Sequence, residues 1–191
     1  MSGSSLSFKK AASPPITNLR SIALLAMLTA LAVVSRNAFA FLPNIQPTTD
    51  IILITTLLMG IRFGLTNAML TVLLSNLTLG MGTWTISQLI AYAVVVLVTG
   101  VFIRPVFEKM PLWAMAIYAG AAGLLYGFII SLAQAPIFGF DKLIPYYLAG
   151  LPFDLMHAGG NAVVYFVLGP ILVPLLERLL MKYNNTGEMN M

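Results

Sequence analysis

The chain contains no cysteine, a single histidine and only 16 charged residues among 191, ten basic and six acidic. Without cysteine there is no disulfide and no thiolate-bound metal, and one histidine cannot build a multi-histidine site. Charged residues make up 8% of the chain, against roughly 25% in an ordinary soluble domain. So few charges cannot cover the water-facing surface of a globule of this size, and the chain is therefore read as a protein embedded in lipid. Intrinsic disorder, a secreted disulfide scaffold and a nucleic-acid-binding domain are excluded by the same numbers. Catalytic signatures are missing as well. There is no G-x-x-x-x-G-K-[ST], no H-E-x-x-H and no G-x-S-x-G, and no membrane-centred chain of carboxylates that would mark a proton relay. These absences leave a binding function driven by energy from elsewhere, with no enzyme activity, cofactor or metal expected.

What the chain does have is apolar residues, 59% of the total. A helix needs about 20 of them to cross a hydrocarbon core of roughly 30 Å. The candidate spans are Ser21–Phe41, two shorter runs at Thr48–Ile61 and Leu65–Leu79, then Thr85–Ile103, Leu112–Ala133 and Pro152–Met181. The expected fold is all-α, a polytopic membrane protein of six transmembrane helices over residues 19–182. Residues 1–18 and 183–191 are expected to be mobile tails, and Gly169-Pro170 and Pro174 to bend the last helix. Lys and Arg near helix ends set orientation. With both termini cytoplasmic, Lys9, Lys10, Arg20, Arg62, Arg104, Lys109, Arg178 and Lys182 fall inside, and only Arg36 and Lys142 outside. The basic start, the run Ile22–Val34 and Ala38-Phe39-Ala40 imitate a cleavable signal peptide, but the long preceding tail and the neighbouring Arg36 speak against cleavage.

Two spans look short. Pro47 suits a first helical position, and from there to Ile61 are 15 residues, about 22 Å. Leu65–Leu79 is of similar length before Gly80-Met81-Gly82 interrupts it. Arg62 anchors both at the inner interface, so the shortfall is expected outside, at Phe41–Pro47 and Gly80–Trp84. Irregular backbone at membrane depth is tolerated only inside protein or beside a wet cavity. These segments are read either as walls of an outward-facing pocket, with Asn44, Gln46 and Trp84 able to touch a ligand, or as simple turns above the membrane.

Several polar residues share that depth. Arg36 either snorkels to the outer headgroups or turns inward to an anionic ligand group or to Asp50. Asn37 follows it. Asp50, in the first turn of the second helix, either caps that helix or faces the ligand. Asn76 and Gln88 are either ligand contacts or hydrogen-bonding glue between helices. Asp154, His157 and Asn161 follow i, i+3, i+7 spacing and so share one helix face. His157 is either a satisfied structural residue or part of the site, and Gly159 and Gly160 beside it suit close packing or ligand room. The segment Gln134–Gly150, with Phe138, Phe140, Tyr146 and Tyr147, is read as an outer loop, either an interfacial anchor or a lid. Gly120-Ala121-Ala122-Gly123 through Gly127 reads as small-residue packing. In the first helix Ala23, Ala26 and Ala30 run along one face, with Ala26 and Ala30 a small-x-x-x-small pair that admits another helix, inside the bundle or from a separate subunit.

Arg36, Leu42-Pro43-Asn44-Ile45-Gln46-Pro47-Thr48, Gly80-Met81-Gly82-Thr83-Trp84-Thr85 and Gly150-Leu151-Pro152-Phe153-Asp154-Leu155-Met156-His157 together resemble the substrate-binding S component of energy-coupling factor (ECF) vitamin transporters. The resemblance spans Leu19 to Arg178. It implies a cell-membrane subunit that captures a vitamin from outside and docks on a transmembrane coupling subunit joined to two cytoplasmic ATPases. It also implies that the S component topples within the bilayer to release its vitamin inward. Ala26 and Ala30 match the family's docking pair, and Phe41–Pro47, Gly80–Trp84 and Gln134–Gly150 match its binding region and gate. The asparagine-glutamine loop is most similar to the cobalamin branch, with pantothenate the competitor because its carboxylate would pair with Arg36. The vitamin is a transported substrate, not a cofactor. A self-sufficient secondary transporter of three-plus-three helices and a small enzyme using His157 and Asp154 are the rival readings.

Overall fold

The computed structural model describes residues 19–188, with side chains to Met181. The expected N-terminal tail with Lys9 and Lys10, the Lys182 side chain and residues 189–191 lie outside the described residues. Among the described residues six α-helices follow one another: α1 (Leu19–Ala38), α2 (Thr48–Met59), α3 (Ile61–Leu79), α4 (Thr83–Val98), α5 (Leu112–Phe138) and α6 (Leu143–Glu188). A π-turn over Thr99–Ile103 prolongs α4, and single 3-10 turns occupy Phe107–Lys109 and Phe140–Lys142. Among the described residues four helices are long and apolar enough to cross a membrane: α1, α4 with its π-turn, α5 and α6. No strand occurs among the described residues.

The short helix α2 is the centre of the bundle. Its 12 residues reach only about 18 Å, and every one except Leu58 is buried. Neighbours on all sides remove it from lipid, so it need not span the bilayer by itself. Its apolar residues Ile51, Leu53, Ile54 and Leu57 join Leu24, Leu25 and Leu28 of α1, Phe63 of α3 and Tyr165 of α6 in the main core. A second cluster, Ile52, Ala68, Val72, Tyr92 and Val96, fills the space toward α3 and α4.

Two expected boundaries are corrected. The third helix begins at Ile61, not Leu65, so Arg62, Phe63 and Gly64 belong to its first turn. Gly60, with φ of 94°, reverses the chain in a single residue, a conformation open to glycine because it has no Cβ. With 19 residues, about 28 Å, α3 is not short; only α2 is. The expected outer loop Gln134–Gly150 is likewise almost entirely helical. Gln134–Phe138 completes α5, Gly139 turns the chain at φ of 99°, and α6 starts at Leu143. Pro145 is compatible with that start because a first-turn residue has no helical acceptor for its missing N–H.

Helices α5 and α6 pack antiparallel along Gly120, Gly123 and Gly127. A Cβ at Gly120 would stand 3.1 Å from the Ala158 carbonyl oxygen, and one at Gly127 would overlap the Asp154 carboxylate. In α1 the burial is one-sided: Leu24, Leu25, Leu28 and Ala32 face the core, whereas Ala23, Ala26 and Ala30 are exposed. The basic residues sort by end. Arg20, Arg62, Arg104, Lys109 and Arg178 lie where α1, α3 and α5 begin and α6 nears its end, and Arg36 and Lys142 lie at the other end.

At Gly64 helices α2, α3 and α4 pack without room for a side chain, since a Cβ there would overlap Thr56 Oγ1 and stand 3.0 Å from Val96. Gly64→Ala is expected to cost about 1–3 kcal/mol by overpacking, read as a lower unfolding midpoint in detergent. Gly150→Ala, which meets nothing within 4 Å, is expected to leave the midpoint unchanged or raise it.

Candidate functional site: a buried polar layer at one end of the bundle

At the end of the bundle where α1, α3 and α5 finish, each of the six helices turns at least one polar side chain into a common layer. Arg36 is 7% exposed and does not reach for the surface. Its guanidinium donates to Ser75 Oγ at 2.5 Å and to Asn76 Oδ1 at 3.1 Å, crossing from α1 to α3. Asn76 is the hub: its amide also donates to Thr85 Oγ1 at 3.0 Å and Gln88 Oε1 at 2.8 Å, both on α4. Gln88 in turn lies within reach of the Tyr126 hydroxyl on α5. The Tyr126 ring meets His157 of α6 edge-on at 5.2 Å and Tyr92 of α4 at 4.6 Å. Thr49 of α2 closes the ring, its hydroxyl 3.0 Å from His157 Nε2 and 3.2 Å from the Tyr92 hydroxyl.

Four of the expected site residues, Arg36, Asn76, Gln88 and His157, thus meet in one network. Asp154 is buried on the same face of α6, set against Gly127 where a side chain would not fit. Asp50 and Asn161 are fully buried beside the network. The pairing of Arg36 with Asp50 is not made, because the guanidinium is engaged by Ser75 and Asn76. Nor does Asp50 cap α2, whose N-terminus receives no side-chain capping hydrogen bond.

The other expected residues lie at the rim. Asn37 spans the α1–α3 edge, donating to the Val33 carbonyl and accepting from Thr78 Oγ1 at 2.6 Å. Asn44, at φ of 55°, donates to the Phe153 carbonyl and so ties the α1–α2 link to α6. Gln46 is half-buried in that link, and Trp84 is exposed, its ring lying over Gly82. Tyr146 stacks on Phe138 at 5.5 Å, at the corner between α5 and α6.

Tyr92, Tyr126, Thr49 and Ser75 were not expected in the site. The two tyrosines carried a usable signal: they sit deep within helices α4 and α5, away from the interfacial belt where tyrosine is ordinarily placed. Deeper still, Asn67 of α3 accepts from Thr29 of α1 and Thr71 and donates to Thr55 of α2. That second set joins three helices through neutral groups and reads as packing glue.

The solvent-filled hollow expected at the outer ends of the second and third helices is corrected as well. Thr48, Thr49, Asp50, Ser75 and Asn76 are each at most 1% exposed, so this end is packed closed. The reason is that α3 continues to Leu79 and that Arg36, Ser75, Asn76, Thr85 and Gln88 bond to one another across the gap. A groove of about 300 Å³ does occur, but it lies between α5 and α6, lined by Trp113, Ile117, Val163 and Phe166 and wholly apolar. Chemically, the layer offers a cation, amides, hydroxyls and carboxylates for recognition. His157 bonds to a threonine, without the oriented acid–base partner that nucleophilic catalysis needs.

A family model described as "ECF transporter, substrate-specific component" matches residues 20–169. No curated protein and no solved structure matches the chain.

Asn76 holds both Arg36 and Gln88, so Asn76→Leu strands a buried cation on a single neutral partner. Losing hydrogen bonds to a buried charge costs about 1.5–3 kcal/mol, and the unfolding midpoint is expected to fall accordingly. Thr78→Ala at the exposed edge is expected to change it far less.

Proposed function

As the chain belongs to the family of ECF-transporter substrate-specific components, we propose that its buried polar layer is where a vitamin, cobalamin, is captured from outside the cell. Family membership makes the chain a membrane-embedded, vitamin-binding subunit of a transporter, associated with ECF transmembrane and ATPase modules, and not an enzyme. The observation that carries the reading is the layer itself. Above the apolar cores and the neutral set around Asn67, six helices bring charged and polar recognition groups to one level.

The bias of Arg and Lys toward the opposite end supports an outward-facing layer and cytoplasmic termini. Because the layer is shut, entry requires the α1–α2 link and the Phe138–Tyr146 corner to part. The ligand must then replace the hydrogen bonds that Arg36, Asn76 and Gln88 give one another. Cobalamin is favoured by the likeness of the asparagine-glutamine segment to that branch and by amides at Asn44, Gln46, Asn76 and Gln88 that match an amide-fringed corrinoid. One observation favours a second reading. Arg36 is buried with neutral partners alone, a setting in which a carboxylate such as that of pantothenate gains a charge-assisted pair.

Titrating the purified chain with each vitamin tests both. Saturable cobalamin binding is expected; saturable pantothenate binding with none for cobalamin would replace it by the second reading. In either case Arg36→Met is expected to weaken binding by roughly ten- to a hundredfold, the equivalent of about 1.5–3 kcal/mol for a charged donor.

The exposed stripe Ala23, Ala26 and Ala30 on α1 is proposed as the docking face for the coupling subunit, where small side chains let a partner helix approach closely. Ala26→Trp or Ala30→Trp is expected to abolish ATP-driven uptake while vitamin binding to the isolated chain persists. Vesicles holding this chain alone are expected to show no uptake; accumulation there would instead support a self-sufficient transporter.

A further inference from the structure

Beside the seam of α5 and α6 runs the apolar groove of about 300 Å³. Its floor is small and shielded, Ala116 of α5 and Ala162 of α6. Its banks are large and exposed, Trp113 and Ile117 on one side, Phe166 and Val167 on the other. The two helices close on each other at both ends of this stretch. Toward the polar layer, a Cβ at Gly120 would stand 3.1 Å from the Ala158 carbonyl oxygen and 3.5 Å from Ala162. Toward the basic end of the bundle, a Cβ at Gly169 would stand 3.6 Å from Leu112. The groove is thus a short trough, bounded lengthwise and open sideways.

Both helices belong to the membrane-crossing set, so the trough faces hydrocarbon or another protein and not water. Size speaks against a protein. The five residue steps from Ala162 to Val167 span about 7.5 Å, which leaves a cross-section of about 40 Å², half or less of that of a helix about 10–12 Å across. Seven residues line the trough, against about 20–30 a side in a stable protein interface. A vitamin finds no partner there for amides or a carboxylate, because the surface is wholly apolar. A slender, flexible hydrocarbon chain fits, and it restores the dispersion contacts that an unfilled trough forfeits.

We propose that the trough holds an acyl chain of a zwitterionic phospholipid drawn from the leaflet at the basic end of the bundle. Trp113 stands in the first turn of α5, the level at which tryptophan marks a membrane interface. Lys109 and Glu108, exposed side by side in the turn that precedes α5, present opposite charges at that end. Such a pair suits a headgroup of phosphate and amine more than an anionic one. The lipid is retained by the alanine floor and the aromatic banks, which surround its chain on three sides, whereas a flat helix face touches a passing lipid on one.

The test uses the full chain in detergent without any vitamin, so its outcome is separate from the ligand reading. Trp84→Phe leaves Trp113 as the one tryptophan, and its fluorescence is followed while phosphatidylethanolamine brominated along its acyl chains is added. Quenching is expected to saturate and to be reversed by the same lipid without bromine. Phe166→Ala is expected to raise the half-saturating lipid fraction about tenfold or more, as for lost burial of an aromatic ring. If that variant cannot be purified, Ala162→Leu, which fills the floor, carries the same expectation. For comparison, Leu97→Trp on the exposed face of α4, with both native tryptophans replaced by phenylalanine, is expected to be quenched only in proportion to the lipid added. Merely proportional quenching of Trp113, or a half-saturating fraction unchanged by the trough variant, overturns the proposal. Brominated phosphatidylglycerol that saturates at a tenfold lower fraction overturns the zwitterionic assignment. A dimer in detergent that Phe166→Ala dissociates overturns it in favour of a second copy. Proportional quenching that the coupling subunit abolishes overturns it in favour of that partner.

Discussion

Inside a bilayer there is no water to complete a hydrogen bond, so every polar atom in the bundle must find its partner in the protein or carry an unmet cost. That constraint organises the molecule. It explains why α2, too short to span and rich in threonine, is enclosed by the other helices. It explains why Thr55 and Thr56 return their hydroxyls to the carbonyls of Ile51 and Ile52 one turn back. It also explains why the polar residues gather into layers, since clustering lets each one serve as another's partner.

The outer layer and the deeper set around Asn67 obey the same rule with different consequences. Asn67 joins only neutral hydroxyls, and nothing in that set asks for an outside group. The outer layer contains a guanidinium with neutral partners and sits beside a carboxylate with none. Full satisfaction is therefore reached around Asn67 and not in the outer layer, and this difference is what the proposed capture of a ligand by the outer layer rests on. The closed state follows from the same chemistry: amides and hydroxyls able to recognise a vitamin are equally able to bond to each other in its absence.

Much of this was legible in the residues. The scarcity of charge, the six apolar runs, the sorting of basic residues by helix end and the one-face spacing of Asp154, His157 and Asn161 all depend on local periodicity and composition, and all agree with the bundle. Other features were not legible. Gly60 turns the chain in one residue, so Arg62 enters α3 where an interfacial loop was expected. Gln134–Gly150 has the aromatic and proline content of a loop, yet helices α5 and α6 claim nearly all of it, meeting across the turn at Gly139 where Phe138 stacks on Tyr146. Thr49 was not legible, because threonine is an ordinary helix residue until a neighbour from another helix meets it.

Sequence alone therefore determined the solvent this protein lives in, the number of its helices and the depth at which its polar groups lie, because these are properties of consecutive residues along one axis. Tertiary structure alone decided which of those groups meet. Whether Arg36 pairs with Asp50 or with Asn76, and whether the space above α2 is open or shut, depends on the rotation and approach of helices distant in the chain. Those are set by packing at Gly64, Gly123 and Gly127, where the absence of a side chain lets two backbones close to contact.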